Sequence, residues 1–154
     1  RDPYYPSFFE GREEQTAYRE YFECVLQNLK SYTNFDSLGH LDYVVRYGPT
    51  KNKNYAWTQY QEILDAILRI LIKNEIALEV NTGGYKYGLG EPNPCADILK
   101  RYKELGGKLL TIGSDAHDPA YLAYEFSRLR ELLISCGFSC YYIFKKRAPM
   151  ELPL

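Results

Sequence analysis

Residues 76–94 read IALEVNTGGYKYGLGEPNP, and this stretch decides the fold. Ile76 to Asn81 is a compact, mostly apolar run of strand length that ends in polar groups. Thr82 to Pro94 then holds Gly83, Gly84, Gly88 and Gly90 together with Pro92 and Pro94, a composition that predicts a loop. Upstream, the segment from Thr58 to Asn74 sets Tyr60, Ile63, Leu64, Ile67, Leu68 and Leu71 at steps of three and four, the spacing of one helix face. Downstream, a helix is predicted from Cys95 to Leu105, stopped by Gly106-Gly107.

The same alternation extends in both directions. A first amphipathic helix is predicted from Glu13 to Tyr32, with Tyr18, Tyr21, Phe22, Val25, Leu26 and Leu29 inward. Asp36 to Asp42 reads as a brief buried strand in which Gly39 allows close backbone approach, and Tyr47 to Asn54 reads as a loop. Leu109 to Gly113 is a strand ending at Ser114-Asp115, Pro119 to Cys136 a fourth helix closed by Gly137, and Ser139 to Phe144 a last strand. Four helix–strand units with short connections predict an α/β fold, a parallel sheet with covering helices. In such sheets and in α/β barrels, chemistry gathers at the carboxyl ends of the strands. Three strand ends here carry His40, then Glu79 with Asn81, then Asp115 with His117.

Composition narrows the field. The 154 residues of 18.0 kDa suit one domain, and 45% hydrophobic with 25% charged residues is globular rather than disordered. Nineteen basic against twenty acidic side chains leave a net charge of -1, without the footprint expected for nucleic acid or an anionic membrane. The longest apolar run, Ile67 to Ile72, is broken by Arg69 and is too short to span a bilayer. Cys24, Cys95, Cys136 and Cys140 are scattered without a CxxC pair, so reduced thiols in a cytoplasmic protein are expected. The chain opens at Arg1-Asp2-Pro3 without a starting Met, which hints at a fragment.

Ser114-Asp115-Ala116-His117 is the sharpest local feature. Positions i and i+2 of an extended segment point the same way, so Asp115 and His117 can converge on one ion with an oxygen and a nitrogen ligand suited to zinc, iron or manganese. The competing reading has Asp115 capping the next helix and His117 exposed in the turn. His40 is either a second ligand or a hydrogen-bonded core histidine. Arg46, set among Tyr43, Val44, Val45 and Tyr47, needs an anionic partner, which is either a bound phosphate or carboxylate or an ordinary salt bridge. Glu79, between Leu78 and Val80, either orients a ligand or bridges to a basic neighbour. The glycine loop matches neither a nucleotide P-loop nor the dinucleotide fingerprint. Cys95 at a helix start is read as structural.

Three stretches, GHLDYVVRYG at 39–48, LEVNTGGYKYGLGEPNP at 78–94 and GGKLLTIGSDAH at 106–117, together resemble the PHP superfamily (polymerase and histidinol phosphatase), in particular its histidinol-phosphatases. The resemblance covers most of residues 1–154 and matches the carboxyl-terminal portion of a single PHP phosphoesterase domain. It implies part of a distorted (β/α) barrel with up to three divalent metal ions (zinc, manganese or iron) at its strand ends. The activity it implies is hydrolysis of L-histidinol phosphate, a small phosphorylated metabolite, to L-histidinol and phosphate in histidine biosynthesis. On this resemblance His40, Asp115 and His117 are metal ligands, Arg46 contacts the phosphate with Lys86 as a weaker second, and Glu79 and Asn81 support the site. Asp115 or a neighbouring ligand would protonate the leaving alkoxide. The opening His-x-His of the family is missing, since residues 1–35 contain no histidine. By itself this polypeptide is therefore expected to be inactive or nearly so, and its open strand edges to invite a second copy or the amino-terminal half. Two other readings stand beside this one: another PHP phosphoesterase acting on nucleotides or serving a polymerase, and a catalytically dead half-barrel used for interaction.

Overall fold

In a computed structural model describing residues 2–154, the strand that opens the quoted stretch is the centre of the sheet. β1 (Ser37–Leu38), β2 (Ala77–Asn81) and β3 (Leu110–Gly113) form one parallel sheet in the order β1-β2-β3. The register sets Leu38 beside Leu78, Glu79 beside Thr111 and Asn81 beside Gly113. Side chains alternate across a strand, so the two faces differ sharply. Leu38, Leu78, Val80, Leu110 and Ile112 make an apolar face; Ser37, Glu79, Asn81 and Thr111 lie on the other, where Ser37 Oγ and Thr111 Oγ1 meet at 2.7 Å over the small Ala77. Parallel sheets are ordinarily apolar on both faces. Here one face is reserved for polar groups.

The apolar face belongs to a single core. α1 (Glu14–Ser31) contributes Ala17, Tyr18, Phe22 and Leu29; α2 (Gln61–Lys73) contributes Ile63, Leu64, Ile67, Leu68 and Leu71. After β2 comes a single short turn of helix, α3 (Gly83–Lys86), and then α4 (Ala96–Glu104) with Ile98, Leu99 and Tyr102 inward. α2 packs on α1, α4 and β2. Burying each of these large side chains is worth about 1.5–3 kcal/mol, which makes the helical layer the main source of stability. No helix is long and apolar enough to cross a membrane among the described residues.

Two expectations are corrected. The last predicted strand does not join the parallel sheet: β4 (Cys140–Lys145) pairs antiparallel with β5 (Ala148–Pro153) in a separate hairpin. Its two-residue loop, Lys146-Arg147, has φ of 53° and 67°, the left-handed pair that a tight hairpin turn demands. Lys and Arg are poor formers of that turn, so the sequence carries no Asn-Gly signal for it. The fourth predicted helix, Pro119 to Cys136, is broken. A helical turn at Pro119–Tyr121 is capped by Asp118, whose side chain accepts from Ala120 N at 2.8 Å; Ala123 and Glu125 then take positive φ, and α5 begins only at Phe126 and runs to Ser135.

Candidate metal and phosphate site

At the carboxyl ends of the three parallel strands the polar residues converge on one side chain, Arg46. It lies in the helical turn Tyr43–Arg46 just after β1, and its side chain has no exposed surface. Nε donates to Asn93 Oδ1 at 2.6 Å, Nη2 to Asn81 Oδ1 at 2.8 Å and Nη1 to Asp115 Oδ2 at 3.0 Å. The guanidinium thus ties together the exits of β1, β2 and β3. A buried cation without such partners would be prohibitively costly.

Each partner is itself held. Asn81 ends β2, accepts from Gly83 N at 2.8 Å and donates to Glu79 Oε2 at 3.1 Å. Glu79 Oε2 also accepts the backbone N–H of His40 at 3.0 Å. Asn93 donates to Asp42 Oδ1 at 2.6 Å, and Asp42 Oδ2 accepts from Cys95 N at 3.0 Å. Burial pushes the Asp42 carboxyl up to about 6, against the opposing effect of these two hydrogen bonds. Asp42 and Asn93 escape sequence reading, since each matters through a partner some fifty residues away; a buried Asp two positions after His40 is the one local hint.

His40 has φ of 28° and Asp115 φ of 51°, both in the region that non-glycine residues rarely adopt and that strained functional sites favour. The His40 ring stacks at 4.5 Å on Tyr43, and its Nδ1 is buried with no hydrogen-bond partner. Burial, and then the positive charge of Arg46, lower its pKa, so the imidazole is held neutral. A neutral ring with an orphaned buried nitrogen is what a metal ligand requires before its ion binds. Asp115 is one-third exposed and His117 83% exposed, with His117 Nδ1 2.9 Å from the Asp115 carbonyl oxygen and 3.9 Å from Asp115 Oδ1. The donor types fit a divalent cation. Their assembly is incomplete: among the described residues no three His, Cys, Asp or Glu side chains are gathered as a ready cage.

The other expected residues are placed as follows. Glu79 is half-buried and lies between Gly39 and Gly113, neither of which has a side chain to displace it. Asp115 does not cap the next helix; Asp118 does. Lys86 is exposed on α3 and stands apart from the Arg46 hub, its Nζ 3.8 Å from the centre of the Tyr121 ring. Cys95 is buried and its thiol pKa is raised by that burial, which suits a structural role.

Known proteins are similar to this chain. The PHP domain pattern matches residues 2–83. The histidinol-phosphatase of Lactococcus lactis subsp. lactis (strain IL1403) is 37% identical over 131 residues, 85% of this chain and 48% of that protein. The probable histidinol-phosphatase of Thermotoga maritima is 40% identical over 116 residues, 74% of this chain and 46% of that protein. A crystal structure of the Lactococcus lactis histidinol phosphate phosphatase, complexed with zinc, L-histidinol and phosphate, superposes with a TM-score of 0.78 at 33% identity, covering 93% of this chain and 54% of that one. The chain therefore spans about half the length of the relatives it matches. With three strand ends converging on Arg46 and the PHP pattern running through the first two of them, the chain belongs to the PHP domain family.

Proposed function

We propose that this chain forms the carboxyl-terminal portion of a metal-dependent phosphomonoester hydrolase that converts L-histidinol phosphate to L-histidinol and phosphate, a step of histidine biosynthesis in the cytoplasm. The observation that carries this reading is an orphaned His40 nitrogen and the Arg46-bound Asp115 carboxylate at the same, carboxyl-terminal edge of the parallel sheet, after its two outer strands. Support comes from relatives named histidinol-phosphatase and from a neighbour whose structure holds zinc, L-histidinol and phosphate. The amphipathic three-stranded sheet fits one sector of a distorted (β/α) barrel, its polar face inward.

His40, Asp115 and His117 are the residues proposed to hold divalent ions, zinc, manganese or iron, with up to three in the whole enzyme. When bound, such ions supply Lewis acidity and bring the pKa of water towards neutrality. Arg46 offers a fixed positive charge where the phosphoryl oxygens gain negative charge, reached through Nη1 once Asp115 turns to its own ligand. Lys86 is the second candidate for the phosphate, and Glu79 and Asn81 support the loops from beneath. Asp115 or a neighbouring ligand would pass the proton released by the attacking water to the leaving alkoxide. A second copy, or an amino-terminal half, is the proposed neighbour for the outer edge of β1.

Phosphate release from histidinol phosphate, compared with nucleoside monophosphates in manganese or zinc, tests the reading. The whole enzyme is expected to prefer histidinol phosphate, and this chain alone to turn over little of it. Equal rates on nucleotides would move the assignment to another PHP phosphoesterase.

A further inference from the structure

We infer that Asn81 and Asn93 are positioning residues that clamp Arg46 between two neutral carboxamides, so that only its Nη1 edge, held in this structure by Asp115, faces the proposed phosphate site. The inference rests on the proposed phosphate role of Arg46 and adds how that role is secured.

The two asparagines are built as a pair. Their backbones exchange hydrogen bonds, Asn81 N to Asn93 O at 2.8 Å and Asn93 N to Asn81 O at 2.9 Å, an isolated bridge between the end of β2 and the far end of the glycine-rich loop. Both are 1% exposed, and each turns Oδ1 towards the guanidinium. Their amide nitrogens are committed elsewhere, Asn81 Nδ2 to Glu79 and Asn93 Nδ2 to Asp42, which fixes both amide orientations through the hydrogen-bond network. Gly83 completes the cradle: a Cβ there would lie 2.7 Å from Asn81 Oδ1 and 2.8 Å from Arg46 Nη2, so only glycine leaves room for the pair.

The chemistry of the clamp explains its residue type. Carboxylates in both places would bind the guanidinium more tightly and cancel its charge. Carboxamides satisfy the buried N–H groups and leave the charge intact. Of the three partners only Asp115 is charged, and only Asp115 is exposed to the site. The acidic groups Asp42 and Glu79 stand one residue further back, each behind an asparagine.

Two variants separate this from simple scaffolding. Asn93→Asp keeps an acceptor for Nε but adds charge and sets a carboxylate oxygen against Asp42 Oδ1 in place of the amide donor; Asn93→Leu removes the acceptor. The readouts on the purified chain are calorimetric affinities for manganese and for inorganic phosphate in the presence of manganese at pH 8, with NMR of the Arg46 Nε–H. Wild type is expected to show a slowly exchanging Nε–H, which persists in Asn93→Asp and is lost in Asn93→Leu. Both variants are expected to weaken phosphate by about 10- to 100-fold, the usual range for residues that orient a ligand-binding group, while manganese affinity stays within about threefold. Should Asn93→Leu fail to fold, Asn93→Asp alone decides. Phosphate binding within twofold of wild type in the folded variants overturns the clamp and leaves the phosphatase reading standing. Equal losses of manganese and phosphate also overturn it, as those of a purely structural residue. Absence of phosphate binding by wild type overturns the phosphate role of Arg46, and the clamp falls with it.

Discussion

Glu79 on β2 and Gly113 on β3 divide one space between them: a methyl group added at Gly113 would coincide with the Glu79 carboxylate. The carboxylate cannot swing away freely, because it accepts from His40 N and Asn81 Nδ2. Gly113→Ala is therefore expected to destabilise the fold by about 1–3 kcal/mol, the cost of overpacking a filled site. Combined with Glu79→Ala the penalty should shrink, since that change removes the carboxylate that the new methyl group meets. Urea denaturation of the two single variants and the double variant measures this coupling. Additive losses would show that the two residues do not compete for space.

That relationship also marks the limit of what the residues reveal in order. Helical periodicity located α1, α2 and α4 to within about three residues, because burial on one face repeats every three or four positions. The strands ending at Asn81 and Gly113 were legible as short apolar runs; the strand expected over Asp36 to Asp42 is only Ser37–Leu38, and His40 lies beyond it at positive φ. The hairpin was not, since its turn uses Lys146-Arg147 in place of residues that favour positive φ. The clamp on Arg46 was not either. Asp42 and Asn93 are 51 positions apart and meet only after the chain has folded.

Arg101 on α4 reaches Asp65 on α2 through two hydrogen bonds, Nε to Oδ1 at 2.8 Å and Nη2 to Oδ2 at 2.6 Å. Hydrogen bonding from Arg101 is the main reason the Asp65 carboxyl titrates below its usual 3.8. A depressed acid stabilises the fold above its ordinary pKa and loses that contribution as pH falls through the lowered value. Asp65→Asn should lower stability at pH 7, the direction expected for loss of a bidentate pair between two helices. The gap between wild type and variant should narrow at pH 3 in urea unfolding. A gap unchanged between the two pH values would mean that packing, not charge, links the helices.

The Lys146-Arg147 turn carries left-handed backbone at two side-chain-bearing residues, and Arg147 is further engaged by Asp36 and Asn34. Lys146 has no such partner among the described contacts. Lys146→Asn is expected to raise stability by about 0.5–1 kcal/mol, because asparagine tolerates positive φ at less cost. Arg147→Gly, which relieves the backbone but removes the bonds to Asp36 and Asn34, should gain less. Thermal unfolding of both variants ranks them; the reverse order would assign the turn's stability to its backbone alone.

His40 presents an orphaned Nδ1 beside a carboxylate held by Arg46, so a cation bound there satisfies a nitrogen that nothing else does. Binding to the folded chain alone raises stability by mass action, about 2.7 kcal/mol at one hundred times the dissociation constant. Zinc is therefore expected to raise the melting temperature of wild type in a concentration-dependent way. His40→Ala and Asp115→Asn should reduce the apparent affinity by at least about tenfold, the scale seen when groups around a metal are removed. His117→Ala should weaken it as well, since the exposed ring has only Nδ1 engaged by the Asp115 carbonyl. Lys86→Ala, which removes an ammonium over the Tyr121 ring and none of the proposed metal ligands, should leave the zinc response unchanged. A shift that survives in His40→Ala would remove His40 from the ligand set and locate the bound ion elsewhere on the chain.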